Sequence, residues 1–130
     1  MRLFFDHNLS PKLADAMHAL FQPDHEACAL TGKFSRDVSD LEWITALGRE
    51  GRWVVLSGDR RITRNKAEQA AFRGSRLIGI FLASAVCKAP VAKQAERILA
   101  LWPSIEAVEA TVAGGAMFEL PMTSLRLRQI

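Results

Sequence analysis

Short apolar runs alternate along this chain with longer stretches of helical periodicity, and that alternation constrains the fold more than any other feature. The runs are "RLFF" (2–5), "HEACAL" (25–30), "RWVVLS" (52–57) and "RLIGIFLA" (76–83). Helix-patterned stretches separate them at 10–21, 39–50 and 65–74. Strands joined through helices pair in parallel, because a hairpin cannot make the crossover. The unbroken apolar runs fit strands covered on both faces. The sequence therefore predicts an α/β fold around a mostly parallel sheet. "AMFEL" (116–120) reads as a last edge strand, and the tail from 121 to 130 has no assigned element.

The helix boundaries have local causes. Ser10 fits an N-cap and Pro11 the first helical position, where its missing N–H costs nothing. Leu13, Met17 and Leu20 then form the expected buried stripe. Ser39 and Glu42 have capping-box spacing. After them Leu41, Ile44 and Leu47 share a face, with Trp43 beside them, and Gly51 is the expected stop. Asn65 and Gly74 bracket the next helix. A longer helix over 90–102 places Val91, Ala95, Ile98, Leu99 and Trp102 inward, and Pro103 restarts the chain into a short helix over 104–111.

With 130 residues, 49% of them apolar and 24% charged, the chain has the composition of one ordinary globular domain. No stretch has the ~18 consecutive apolar residues of a membrane span. The apolar residues after Arg2 are too few for a signal peptide, so a cytoplasmic location is expected. Cys28 and Cys87 lie in apolar runs and read as buried small hydrophobes rather than a disulfide. The net charge of +3 permits a polyanionic partner without demanding one.

In a parallel α/β sheet each strand ends at the rim where its crossover helix begins, and ligands bind outside that rim. Asp6 follows the first strand, Asp59 follows the strand over 52–57, and Asp40 opens the helix over 39–50. Asp37 and Glu42 flank Asp40. Each acid alone has a local explanation as a cap or turn residue. Three together do not, since like charges ~4 Å apart repel by on the order of 4 kcal/mol at an effective dielectric of 20. A divalent cation explains the collection. Oxygen donors without zinc-type Cys/His spacing indicate Mg²⁺ or Mn²⁺. His7, His18 and His25 show no HExxH spacing, and strand alternation turns His7 away from Asp6.

Basic residues follow the last of these acids. Arg60, Arg61, Arg64, Lys66, Arg73 and Arg76 are opposed within that stretch by Glu68 alone. An acidic centre beside arginines suits a phosphodiester, with metal at the scissile phosphate and cations on its neighbours. No phosphate-binding glycine motif occurs. A receiver-type phospho-acceptor would need a lysine at a later strand end, and Lys88 comes several residues too late.

The segments "FFDHNLSPKLADAM", "SDLEWITALGREGRWVVLSGDRRITRNKAEQAAF" and "RLIGIFLA…RILALWPSIEA" resemble a PIN-like domain, of the group related to VapC-type toxin ribonucleases. The resemblance implies a three-layer α/β/α sandwich around a mostly parallel sheet of four or five strands. It also implies Mg²⁺- or Mn²⁺-dependent hydrolysis of RNA, leaving a 5′-phosphate and a 3′-hydroxyl. By position, Asp6, Asp40 and Asp59 match the metal-holding acids, and Asn8 matches a polar residue that orients the first of them or a metal-bound water. Such domains usually offer four acids. The fourth is not evident here, and Glu42 or Asp37 is the expected substitute. Arg60, Arg61, Arg64 and Lys66 would position the RNA backbone. Implied partners are RNA, a cognate antitoxin protein and, in a homodimer, a second copy of the chain. The alternative is a PIN-like module that binds RNA or protein without cutting.

Overall fold

The computed structural model describes residues 1–130. Its strands are β1 (Arg2–Phe5), β2 (Glu26–Ala29), β3 (Val54–Ser57), β4 (Ile78–Leu82), β5 (Met117–Leu120) and β6 (Arg128–Gln129). Its helices are α1 (Pro11–Phe21), α2 (Asp40–Glu50), α3 (Lys66–Arg73), α4 (Ser84–Cys87), α5 (Val91–Ala100) and α6 (Trp102–Thr111). The strands form one sheet in the order β2-β1-β3-β4-β5-β6, parallel except for β6.

Strand alternation sorts the core into two layers. Leu3 and Phe5 face one side with Val54, Leu56, Ile78 and Ile80, against Leu13 and Met17 of α1, Ile98 of α5 and Ile105 of α6. Phe4, Val55 and Phe81 face the other side, against Trp43, Ile44 and Leu47 of α2 and Phe72 of α3. The result is the three-layer α/β/α sandwich. The chain leaves β1 toward β2 on one side and returns to β3 on the other, so the β1/β3 boundary is the topological switch point of the sheet.

Several expectations are corrected. The sheet has six strands, not four or five. Residues 116–120 do not form its edge. Residues 128–129 of the tail pair antiparallel with β5, covering an edge that would otherwise expose unpaired backbone groups. Arg97 ties the intervening tail down, donating from Nε to the Pro121 carbonyl at 3.1 Å and from Nη2 to the Ser124 carbonyl at 2.6 Å. The stripe of α1 is Leu13, Ala14 and Met17, continued by Phe21, while Leu20 is 60% exposed. At ~100° per residue, position 20 rotates past the buried arc and position 21 enters it. Leu41, Val91 and Leu99 likewise face outward. On α5 the inner face carries Gln94 and Arg97 instead, because both satisfy carbonyls of irregular backbone nearby. The helix over 90–102 ends early, and α6 begins at Trp102, which stacks on Phe21 with ring centroids 3.9 Å apart. Cys28 and Cys87 are free, partly buried thiols. No helix is long and apolar enough to cross a membrane.

Candidate active site at the strand switch point

Asp6 continues the alternation of β1. Its backbone N–H donates to the Leu56 carbonyl at 2.9 Å, extending the ladder to β3 by one residue. Its side chain therefore lies on the side of Phe4, toward α2 and α3. It is only 1% exposed. Ser57, the last residue of β3 and fully buried, donates its hydroxyl to Asp6 Oδ2 at 2.9 Å. The same hydroxyl accepts the Asp59 backbone N–H at 3.0 Å. Burial raises the Asp6 carboxyl above its ordinary range, opposed by hydrogen bonds from the His7 N–H, Ser57 and the His7 ring. Asn8 accepts the Gly58 N–H through Oδ1 at 3.2 Å, fastening the turn after β1 to the turn after β3.

Asp40 is the first residue of α2, behind the N-cap Ser39. Its Oδ1 accepts the Trp43 indole N–H at 3.0 Å. Trp43 is fully buried with its ring centroid 5.0 Å from that of Phe4, so one side chain both fills the core and aims the carboxylate. Trp43→Phe keeps the hydrophobic contact and removes the donor. We expect it to lower stability by about 1–3 kcal/mol, read by denaturant unfolding. The same change should weaken any metal held by Asp40 by roughly tenfold or more, read by Mn²⁺ titration.

Ligand atoms of Asp6, His7 and Asp40 all lie within 4.8 Å of one another. His7 is a correction to the sequence reading. The strand ends at Phe5 and a turn follows, closed by the Leu9 N–H on the Asp6 carbonyl at 3.0 Å, so alternation no longer governs position 7. The His7 Nδ1 lies 2.9 Å from Asp6 Oδ1, and its backbone N–H donates to the same oxygen at 2.7 Å.

Asp59 sits beside this group rather than in it. Its Oδ1 accepts the Arg61 N–H at 2.9 Å, and its Oδ2 accepts Arg61 Nε at 2.6 Å. Burial alone would raise its carboxyl, but the Arg61 hydrogen bonds and charge, with help from His7, hold it below the usual carboxylate range. Glu42 caps α2, its N–H and carboxylate both engaged by the Ser39 hydroxyl, and it is exposed to solvent and not part of the Asp6–His7–Asp40 group. Asp37 is exposed and bonded to Ser35, and it lines a cavity of about 450 Å³ together with Asp6 and His7.

The acid that sequence reasoning missed is Glu68, in the first turn of α3 behind the N-cap Asn65. Its carboxyl is pushed up by burial first, then by the charges of Asp40 and Asp59 with Arg61 opposing. Its Oε2 is buried without a hydrogen-bond partner. The signal was present: an acid in the first turn of a helix that starts on that rim is the argument that found Asp40.

The cations divide. Arg60 is ion-paired with Glu119 of β5, and Arg61 with Asp59. Arg64 and Lys66 are exposed and carry no ion pair. Arg64 lines a cavity of about 310 Å³ beside Asp59, together with Ser84 and Lys88. Arg73 and Arg76 belong to the opposite rim. Arg73 donates to the carbonyls of Gly115 and Ile130, before the start of β5 and at the end of β6.

An open α/β sheet with carboxylates gathered at its switch point defines a rim-site protein, and the question is whether its donors suit a divalent cation. The donors fit that ion: two carboxylates, an imidazole and an orphaned buried carboxylate oxygen nearby. The family model described as a PIN-like domain matches residues 1–84, a span that contains β1 through β4 and every acid named above except Glu119. The chain belongs to the PIN-like domain family, and membership suggests nuclease-type chemistry in general. No curated protein and no solved structure matches the chain.

Proposed function

We propose that this protein is a metal-dependent endoribonuclease that hydrolyses RNA phosphodiester bonds, with Mg²⁺ or Mn²⁺ held by Asp6 and Asp40 and with Asp59 and Glu68 completing the acidic wall. The observation that carries the reading is the meeting of Asp6 and Asp40 at the switch point, far apart in the chain and with no stability reason to converge. When bound, such an ion activates water and stabilises charge on a phosphoryl group. The chain's own residues supply the rest. Ser57 and the His7 backbone N–H fix Asp6, Trp43 fixes Asp40, and Asn8 locks the two turns together.

Phosphates flanking the scissile bond fall to the unpaired cations Arg64, Lys66 and Lys88, while Arg60 and Arg61 are engaged with carboxylates. Removing two phosphate contacts from a single-stranded complex lowers the salt slope of log K by about 1.4. Arg64→Ala combined with Lys88→Ala should show that change in RNA binding measured across a salt series, with the fold intact by circular dichroism.

The resemblance to VapC-type proteins supports a narrower reading, the toxin of a toxin–antitoxin pair. Co-purification of a small inhibitory protein encoded beside this chain tests it. The chemistry is tested by RNA cleavage with EDTA and with added Mn²⁺. Loss of cleavage in EDTA and its return with Mn²⁺ is expected. RNA left uncut by Mn²⁺-loaded protein would favour the binding-module alternative.

A further inference from the structure

His7 stands in the rim cluster with its role unassigned. The core does not hold it there, since its side chain is 46% exposed. Its polar contacts go to Asp6: the backbone N–H donates to Oδ1, and the ring nitrogen Nδ1 lies against the same oxygen. The 2.9 Å between Nδ1 and Asp6 Oδ1 is the spacing of adjacent ligands on an octahedral ion, since bonds of ~2.1 Å at right angles place their ends ~3.0 Å apart. His7 also shares the 4.8 Å group with Asp40 on a different element, so the ring is part of the convergence and not merely a neighbour of Asp6 in the chain. The other histidines are committed elsewhere. His18 Nδ1 accepts the Ala27 N–H at 3.2 Å, and His25 lies between the chain's terminal ammonium and Glu106.

We propose that His7 is a nitrogen ligand of the rim cation, alongside Asp6 and Asp40, and that it makes the centre prefer Mn²⁺ over Mg²⁺. The proposal rests on the metal-centre reading above. Its physical basis is donor chemistry. Mg²⁺ is hard, dehydrates reluctantly and favours oxygen, whereas imidazole nitrogen suits borderline transition ions. A neutral ring in place of a carboxylate also removes a negative charge, which weakens the hold on an ion bound by electrostatics alone.

The test is Mn²⁺ titration of wild type, His7→Gln and His7→Asp, followed by electron paramagnetic resonance for affinity and by spin-echo modulation for nitrogen coupling. Mg²⁺ competition gives the ratio of the two affinities. Wild type should bind Mn²⁺ with an imidazole ¹⁴N coupling. His7→Gln should lose that coupling and bind roughly tenfold or more weakly. In His7→Asp the Mn²⁺/Mg²⁺ affinity ratio should fall by about tenfold. Circular dichroism of the variants confirms the fold, which a half-exposed side chain does not sustain. Wild type that binds Mn²⁺ without nitrogen coupling, or a coupling that survives in His7→Gln, overturns the proposal and leaves the metal centre standing. Wild type that binds no Mn²⁺ overturns both.

Discussion

Asp6→Asn is expected to lower RNA cleavage by about 10³-fold or more while leaving the metal-free protein at least as stable as wild type. The first effect follows from the proposed role of Asp6 as the most buried ligand of a cation that would lower the barrier by several kcal/mol, at 1.36 kcal/mol per factor of ten. The second follows from the raised carboxyl of Asp6. A carboxyl that is harder to ionise in the folded chain than in the unfolded one binds more protons folded. Stability then falls as pH rises from the ordinary carboxylate value of 3.8 through the raised folded value. Wild type should carry that penalty at neutral pH and Asp6→Asn should not, since the amide is neutral throughout. Thermal unfolding of both proteins in EDTA reads it directly. A metal-free Asp6→Asn protein that melts well below wild type would show that the carboxylate serves the fold, and the functional argument for its position would fail.

The second large effect belongs to Phe4. It is fully buried in β1, with ring centroids 5.0 Å from Trp43 and 5.9 Å from Phe34. Phe4→Ala removes the contact that spaces α2 from the sheet, and a Phe-to-Ala cavity costs about 3–5 kcal/mol. Against a domain stability of about 5–15 kcal/mol, that should lower Tm by roughly 10–20 °C. The loss should extend to the site, because Trp43 leans on Phe4 and aims Asp40. Mn²⁺ affinity measured at low temperature, where the variant stays folded, should therefore drop as well. Unchanged affinity would mean that α2 holds Asp40 in place without Phe4.

Much of this was legible in the sequence, and the reasons differ from element to element. β3 and β4 declared themselves because strands covered on both faces need unbroken apolar runs. Asp6 and Asp40 were findable because parallel topology alone sends both to one rim. Glu68 obeyed the same rule and was lost among the basic residues around it. His7 was hidden by a one-residue question, where β1 stops, since a turn at that point reverses the facing that alternation predicts. The pairings of Arg60 with Glu119 and of Arg97 with the tail carbonyls join positions far apart in the chain, and no local pattern marks them. β6 was invisible for the same reason: two residues carry no period, and only the uncovered edge of β5 calls for them. Leu20, Leu41 and Leu99 show the limit of periodicity on short helices, where apolar residues next to the buried arc look as though they belong to it.

The most direct measurement is a crystal of the wild-type protein soaked in Mn²⁺, with anomalous scattering recorded at a wavelength where manganese contributes. One strong peak is expected between the Asp6 and Asp40 side chains at the β1/β3 switch point, absent from an Asp6→Asn crystal treated identically. No peak at that place in a soaked wild-type crystal, or a peak held by other residues, would overturn the metal centre.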